Sequence, residues 1–278
     1  MPDRATQVAA VIGDPVAHSL SPVIHNAAFA ATGFDATFVA LPVKPDDLRA
    51  AIAGVRAFGF LGLSVTMPHK STVVELLDEV DADAAALDAV NCVVRDGDRL
   101  MGTNTDGPGF VDALRSRGVD LVGARVLVLG AGGAARAVIR ALPGAGVTEV
   151  GVANRSADRA GAAIALGGPS VHEAVGADAS GYDVVVNATS VGMGVAATDG
   201  VLPLPEDQLR PGHVVVDLVY EPVDTGLLTA ARLRGATVVD GVGMLVHQAA
   251  HAFGHWTGLE APIAVMTTAA REALDAKT

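Results

Sequence analysis

The chain has 278 residues, half of them hydrophobic, with a formal net charge of −12 and a sequence pI near 4.9. That much apolar material suits one large or two smaller domains, and the acidic balance argues against nucleic acid or an anionic membrane surface as partner. A single cysteine, Cys92, excludes an intrachain disulfide and fits a reducing compartment; no apolar stretch is long enough to span a bilayer and no basic, apolar leader opens the chain, so a soluble cytoplasmic protein is expected.

Residues 7–12 read as a first strand, broken by Gly13-Asp14-Pro15. His18-Ser19-Leu20-Ser21-Pro22 follows, and Ser before Pro is a helix start, with Ser21 as N-cap and Pro22 as the first helical residue. Two hydroxyls at a helix N-terminus would suit a carboxylate, while plain capping is the alternative, and composition does not choose between them. A second strand is expected at 36–41, a helix from Pro45 to 57, and a third strand at 60–65. That strand runs into Thr66-Met67-Pro68-His69-Lys70 and a helix expected to continue through 80. Lys70 would then occupy a helix's first turn, where the dipole disfavours a cation. Either it is solvated and tolerates the field, or it is a proton donor and acceptor tuned by its surroundings.

A short acidic helix at 81–88 and a hairpin turning at Asp96-Gly97-Asp98 come next. Asp106 is expected to cap a helix over 108–117. Three helix starts thus follow strand ends in a β-α-β alternation, and ligands of open α/β sheets gather at such carboxyl ends.

The apolar run 126–129 ends at Gly130-Ala131-Gly132-Gly133-Ala134-Ala135, in the register G-x-G-x-x-A. Gly130 would make the tight turn, Gly132 would admit a pyrophosphate to the backbone, and Ala135 would allow close helix packing. A second strand at 149–153 ends in Asn154-Arg155-Ser156, with Arg159 a turn further on. An arginine fork there, in place of an acid, suits a 2′-phosphate and predicts NADP as cofactor. Further strands are expected at 183–187, 214–218 and 236–239, each ending in small or polar residues, and helices at 244–256 and 263–274. Those last helices could cover the second domain or return to the first. His247, His251 and His255 are spaced four apart but lack the carboxylate of H-E-x-x-H, so no metal is expected there, and Cys92 reads as a small packed residue.

Together these motifs resemble the shikimate dehydrogenase family. The resemblance is carried by the segment 13–22 with His25-Asn26, by Leu63-Ser64-Val65-Thr66-Met67-Pro68-His69-Lys70, by Val90-Asn91 and by Asn104-Thr105-Asp106-Gly107. Gly130 to Ala135, Asn154-Arg155-Ser156, Asn187-Ala188-Thr189-Ser190 and Gly241-Val242-Gly243-Met244-Leu245 through Gln248 continue it in order. The resemblance implies an α/β protein of two domains: an open mixed β-sheet substrate domain, 1–106 completed by the C-terminal helices 242–278, and a Rossmann-like doubly wound NADP domain, 107–241. It implies reversible, NADPH-dependent reduction of 3-dehydroshikimate to shikimate in aromatic amino acid biosynthesis.

By the same resemblance Lys70 is the catalytic acid/base and Asp106 pairs with it and with a substrate hydroxyl. Ser19 and Ser21 hold the carboxylate with Tyr220, while Thr66, Asn91 and Gln248 bind the remaining polar groups. Gly130, Ala131, Gly132, Gly133, Ala134, Asn154, Arg155, Ser156, Arg159, Thr189, Leu218 and Gly241 contact the cofactor. The chain departs from the family pattern at Ser64, Asp88 and Cys92, and at Asp224-Thr225-Gly226. An NAD-preferring quinate/shikimate dehydrogenase is the nearest rival, opposed by Arg155; a non-catalytic NADP-binding regulatory paralogue is another, opposed by the intact Lys70 and Asp106. The sequence leaves monomer and homodimer open.

Overall fold

The structure, a computed structural model, describes residues 6–194 and 200–277. The chain forms two compact units, Met1–Thr105 with Gln248–Thr278, and Asp106–His247.

In the first unit β1 (Gln7–Gly13), α1 (Ser21–Thr32), β2 (Ala36–Pro42), α2 (Leu48–Phe58) and β3 (Gly62–Val65) come first. They are followed by β4 (Glu79–Val80), α3 (Ala82–Leu87), β5 (Cys92–Asp96) and β6 (Arg99–Thr103). The strands form a mixed sheet in the order β2-β1-β3-β5-β6-β4. β1 lies parallel to both β2 and β3, whereas β5 is antiparallel to β3 and β6. The last five residues of β1, Ala9 to Gly13, are all buried, as a strand covered on both faces should be. Asp88, which ends α3, has φ 49° and ψ 45°, a left-handed position where glycine is easiest and aspartate is tolerated.

The second unit contains α4 (Asp106–Ser116), β7 (Arg125–Leu129), α5 (Gly133–Ala141), β8 (Glu149–Ala153), α6 (Ala157–Gly167) and β9 (Val171–Glu173). β10 (Val184–Asn187), β11 (Val214–Asp217), α7 (Gly226–Leu233) and β12 (Thr237–Val239) follow. Its strands are all parallel, ordered β12-β11-β10-β7-β8-β9. This is the doubly wound arrangement in which the strand order reverses between β7 and β10. Valine and leucine runs in β7, β10 and β11 bury the sheet on both faces.

α8 (Val242–Thr257) and α9 (Ile263–Asp275) close the chain, and residues from Gln248 onward belong to the first unit. The anchor is Trp256, whose indole N–H donates to the Val93 carbonyl at 3.0 Å. Gly62 makes this possible, since a side chain there would run into the indole and the Val93 carbonyl. Trp256 also packs beside His25 and Phe38, 5.0 and 5.7 Å away between ring centres.

Three expectations are corrected. No helix follows Lys70: residues 70–73 are turn, a short 3-10 turn covers Val74–Leu76, and β4 pairs with β6. Val73, Leu76, Leu77 and Val80 have helical spacing and do pack on the core, but Asp78 draws the segment out, its N–H donating to the Leu100 carbonyl at 2.9 Å and its carboxylate accepting the Leu100 N–H at 2.6 Å. Ser21 is the first residue of α1 and Leu20 its N-cap, so the hydroxyl does not cap. Asp106 likewise is the first residue of its helix, which runs to Ser116.

Candidate active site

In the first unit Ser19 and Ser21 follow β1, Thr66 and Lys70 follow β3, Asn91 immediately precedes β5 and Gln248 lies on α8. Thr66 N–H donates to Ile12 (3.0 Å), Asp14 N–H to Met67 (3.0 Å) and Val90 N–H to Lys70 (2.8 Å), each to the carbonyl. The segments after β1 and β3 are thereby tied to the approach to β5. Gly13 permits the close fit, because a Cβ there would lie 2.9 Å from the Met67 oxygen and against Thr66 Cγ2. The Ser19 hydroxyl accepts the Ser21 N–H at 3.2 Å, so Ser19 satisfies one of the first amides of α1.

Lys70 is partly buried in its turn. With no helix behind it, the dipole invoked from sequence does not act on it. The buried His69 ring fixes the turn, its Nε2–H donating to the Val43 carbonyl at 2.6 Å. Asn91, also buried, brackets Thr105: its Oδ1 accepts the Thr105 N–H at 2.7 Å and its Nδ2 donates to Thr105 Oγ1 at 3.0 Å. Gln248 stands on α8 two turns before Trp256, on the stripe that includes the buried Ala252. Ser64 and Cys92, two of the departures from the family pattern, are a single cross-strand pair of β3 and β5. Cys92 is fully buried, and burial pushes its thiol pKa up, which makes it a packed residue without thiolate character.

In the second unit the predicted cofactor residues all follow strand ends of the parallel sheet. Gly130 has φ 113°, and a Cβ there would lie 2.8 Å from the Ala188 carbonyl, so only glycine fits. Its N–H donates to Ala153 at 2.8 Å, joining the ends of β7 and β8. Gly132 and Gly133 are exposed at the start of α5, and a Cβ at either would meet nothing within 4 Å. After β8, Asn154 Nδ2 donates to the Ser156 carbonyl at 3.0 Å and Ser156 caps α6. Arg155 and Arg159 are exposed. Gly241 lies against the Leu218 carbonyl, 2.6 Å from where its Cβ would be. Asp106 is buried at the head of α4, and Tyr220 is partly buried; burial, then Glu221, raises the phenol pKa.

One arrangement went unread in the sequence. β10 and β11 end in Val-Val-Val-Asn and Val-Val-Val-Asp, and Asn187 and Asp217 are register partners, both fully buried. Asn187 Nδ2 donates to Asp217 Oδ1 at 2.9 Å, the Val219 N–H donates to the same oxygen at 3.0 Å, and Thr225 Oγ1 donates to Oδ2 at 2.7 Å. Burial raises the Asp217 pKa, and these three bonds oppose the rise. The available signal was a polar residue closing each of two all-valine strands. Among the described residues no group of three or more His, Cys, Asp or Glu side chains is placed to hold a metal ion, and His247, His251 and His255 form no such group.

The fold and these clusters define a class: a two-unit α/β protein with a dinucleotide-binding parallel sheet and a mixed sheet whose strand ends carry a lysine and several hydroxyls. Family models match in three stretches, the shikimate dehydrogenase substrate binding domain over residues 11–93, shikimate / quinate 5-dehydrogenase over 113–226, and the shikimate 5′-dehydrogenase C-terminal domain over 241–271. The shikimate dehydrogenase (NADP(+)) of Moorella thermoacetica is 46% identical over 284 residues, covering 99% of this chain and 96% of that protein. Shikimate 5-dehydrogenase from Thermus thermophilus, solved in complex with NADP(H) and shikimate, superposes with a TM-score of 0.89 at 40% identity, covering 96% of this chain and all of that one. Quinate dehydrogenase from Corynebacterium glutamicum in complex with NAD gives 0.88 at 33% identity, covering 95% and 98%. The chain belongs to the shikimate dehydrogenase family.

Proposed function

We propose that this protein catalyses the reversible, NADPH-dependent reduction of 3-dehydroshikimate to shikimate, an oxidoreductase step of aromatic amino acid biosynthesis. The observation that carries the reading is the end-to-end match, at 46% identity, to an enzyme of that activity. The first unit carries most of the residues assigned to the substrate, and the second carries those assigned to NADP together with Asp106 and Tyr220. The exposed Gly132 and Gly133 at the N-terminus of α5 and the exposed Arg155 and Arg159 suit a pyrophosphate and a 2′-phosphate.

Bound NADPH supplies the hydride. Negative charge then develops on the ketone oxygen, and Lys70 is assigned to stabilise and protonate it. Asp106 is assigned to a substrate hydroxyl as the acceptor carboxylate. Ser19, Ser21 and Tyr220 are assigned to the substrate carboxylate, and Thr66, Asn91 and Gln248 to the remaining hydroxyls. Gly130 to Ala134, Asn154 to Ser156, Arg159, Thr189, Leu218 and Gly241 are assigned to the cofactor. Purified protein should form NADPH from NADP and shikimate; a protein that binds NADP tightly yet never reduces it would instead be the regulatory paralogue.

A further inference from the structure

We propose that Asp217 is a positioning residue for this reaction: its carboxylate holds the segments after β10 and β11, which carry Thr189, Leu218 and Tyr220, in one fixed arrangement. The inference rests on the functional reading above, which assigns those three residues to cofactor and substrate.

The chemistry of the network selects a carboxylate. Three donors converge on Asp217: the amide of Asn187, the backbone N–H of Val219 and the hydroxyl of Thr225. None of the three is charged, so the burial is not explained by an ion pair with any of them. An ionised carboxylate accepts from all three at once. An amide in its place could offer only an NH2 to Thr225, so the Thr225 hydroxyl, which already accepts the Leu228 N–H, would lose the acceptor for its own proton.

Each donor leads to a different segment. Asn187 uses its other carboxamide atom, Oδ1, to accept the Thr189 N–H at 3.1 Å and the Thr189 hydroxyl at 2.7 Å. Thr189 Oγ1 in turn accepts the Val191 N–H at 3.1 Å, and Asn187 Nδ2 donates to the Val191 carbonyl at 3.2 Å, so the whole turn 187–191 is fixed. The Val219 bond sets the backbone between Leu218 and Tyr220, while Leu218 N–H donates to the Asn187 carbonyl at 2.9 Å. Thr225 joins the head of α7, where its hydroxyl also accepts the Leu228 N–H at 3.2 Å. Thr189, Leu218 and Tyr220 thus answer to one buried carboxylate, whereas Asn154 and Arg155 follow β8 and share none of these bonds.

That separation gives the test. Asp217→Asn, Thr225→Val and the conservative Thr225→Ser should be compared with the unsubstituted protein in shikimate oxidation by NADP, and in binding of adenosine 2′,5′-bisphosphate, which probes the Arg155 end and the glycine turn after β7. A hydrogen bond to a charged group is worth about tenfold to a hundredfold. Asp217→Asn and Thr225→Val should lower kcat/KM at least tenfold and leave the bisphosphate Kd within about threefold, and Thr225→Ser should restore most of the loss. Unchanged kcat/KM in Asp217→Asn and Thr225→Val would overturn the inference. So would a bisphosphate affinity that falls in parallel with turnover, because the network would then merely hold the unit together. An unsubstituted protein inert toward shikimate with NADP would refute the functional reading instead.

Discussion

The two units place their ligand-facing residues by different means. In the second, Gly130, Asn154, Thr189, Leu218 and Gly241 each follow a strand of one parallel sheet, and strand register sets their spacing. In the first, Ser19, Thr66 and Lys70 lie in irregular segments pinned one hydrogen bond at a time, to Ser21, Ile12 and Val90. Backbone groups and glycine shape supply most of the contacts assigned to NADP. Side chains supply nearly all those assigned to the substrate. Losses in the first unit should therefore appear as lost chemistry or substrate affinity, and losses among the glycines and arginines that follow β7 and β8 as lost cofactor affinity.

The largest expected effect belongs to the first unit. Removing the proton donor by Lys70→Ala should lower kcat by about a hundredfold or more, the usual scale for a general acid/base, with shikimate affinity changing far less. Steady-state kinetics with saturating NADP would show it, and near-normal kcat would move the proton transfer to another residue.

Next comes the second unit. Arg155→Ala should raise KM for NADP by about tenfold to a hundredfold, one charge-assisted contact, and barely change KM for NAD. Equal loss toward both cofactors would mean that Arg155 serves the loop rather than the 2′-phosphate.

The third concerns stability and again singles out the first unit. His25 is fully buried, stacked 4.4 Å from Phe38, with neither ring nitrogen hydrogen-bonded, and burial lowers its pKa to about 3 from 6.5. The unfolded chain therefore binds the proton more readily between those values, so stability is full above pH 6.5 and declines as pH falls toward 3. One such proton is worth about 1.4 kcal/mol per pH unit, or tenfold in the folding constant. Urea unfolding at stepped pH should give His25→Phe a shallower acid decline than the parent; identical slopes would assign the decline to other groups.

The smallest effect expected is at the serines. Ser19→Ala and Ser21→Ala should each raise KM for shikimate, Ser21→Ala by a few-fold to about tenfold on the scale of one neutral hydrogen bond, with kcat little changed. Ser19→Ala should show the larger change, because Ser19 also holds the Ser21 amide. The reverse order would favour Ser21 as the main carboxylate contact.

This contrast also governs what could be read from sequence. The Gly130 turn, the valine strands and the hairpin at Gly97 are local: a left-handed glycine or a run of β-branched residues carries its own signal. The segment after Lys70 is not local. Its apolar spacing is that of a helix, and only the pairing of Asp78 with Leu100, distant in the chain, makes it a turn and a strand. Ser21 misled for a related reason, since Ser-Pro starts helices, but here the helix begins one residue earlier than the pattern implies. The short strands β4 and β9 exist only by pairing with β6 and β8, and the Asn187–Asp217–Thr225 network joins residues up to 38 positions apart through buried contacts that no window of sequence contains.

The most direct test of the account is kcat/KM for shikimate and for quinate, each with NADP and with NAD, on one preparation of purified protein. Shikimate with NADP should exceed each other combination, quinate trailing by roughly a hundredfold, the scale on which a pocket rejects an added hydroxyl. Comparable values for the two acids, or for the two cofactors, would contradict it.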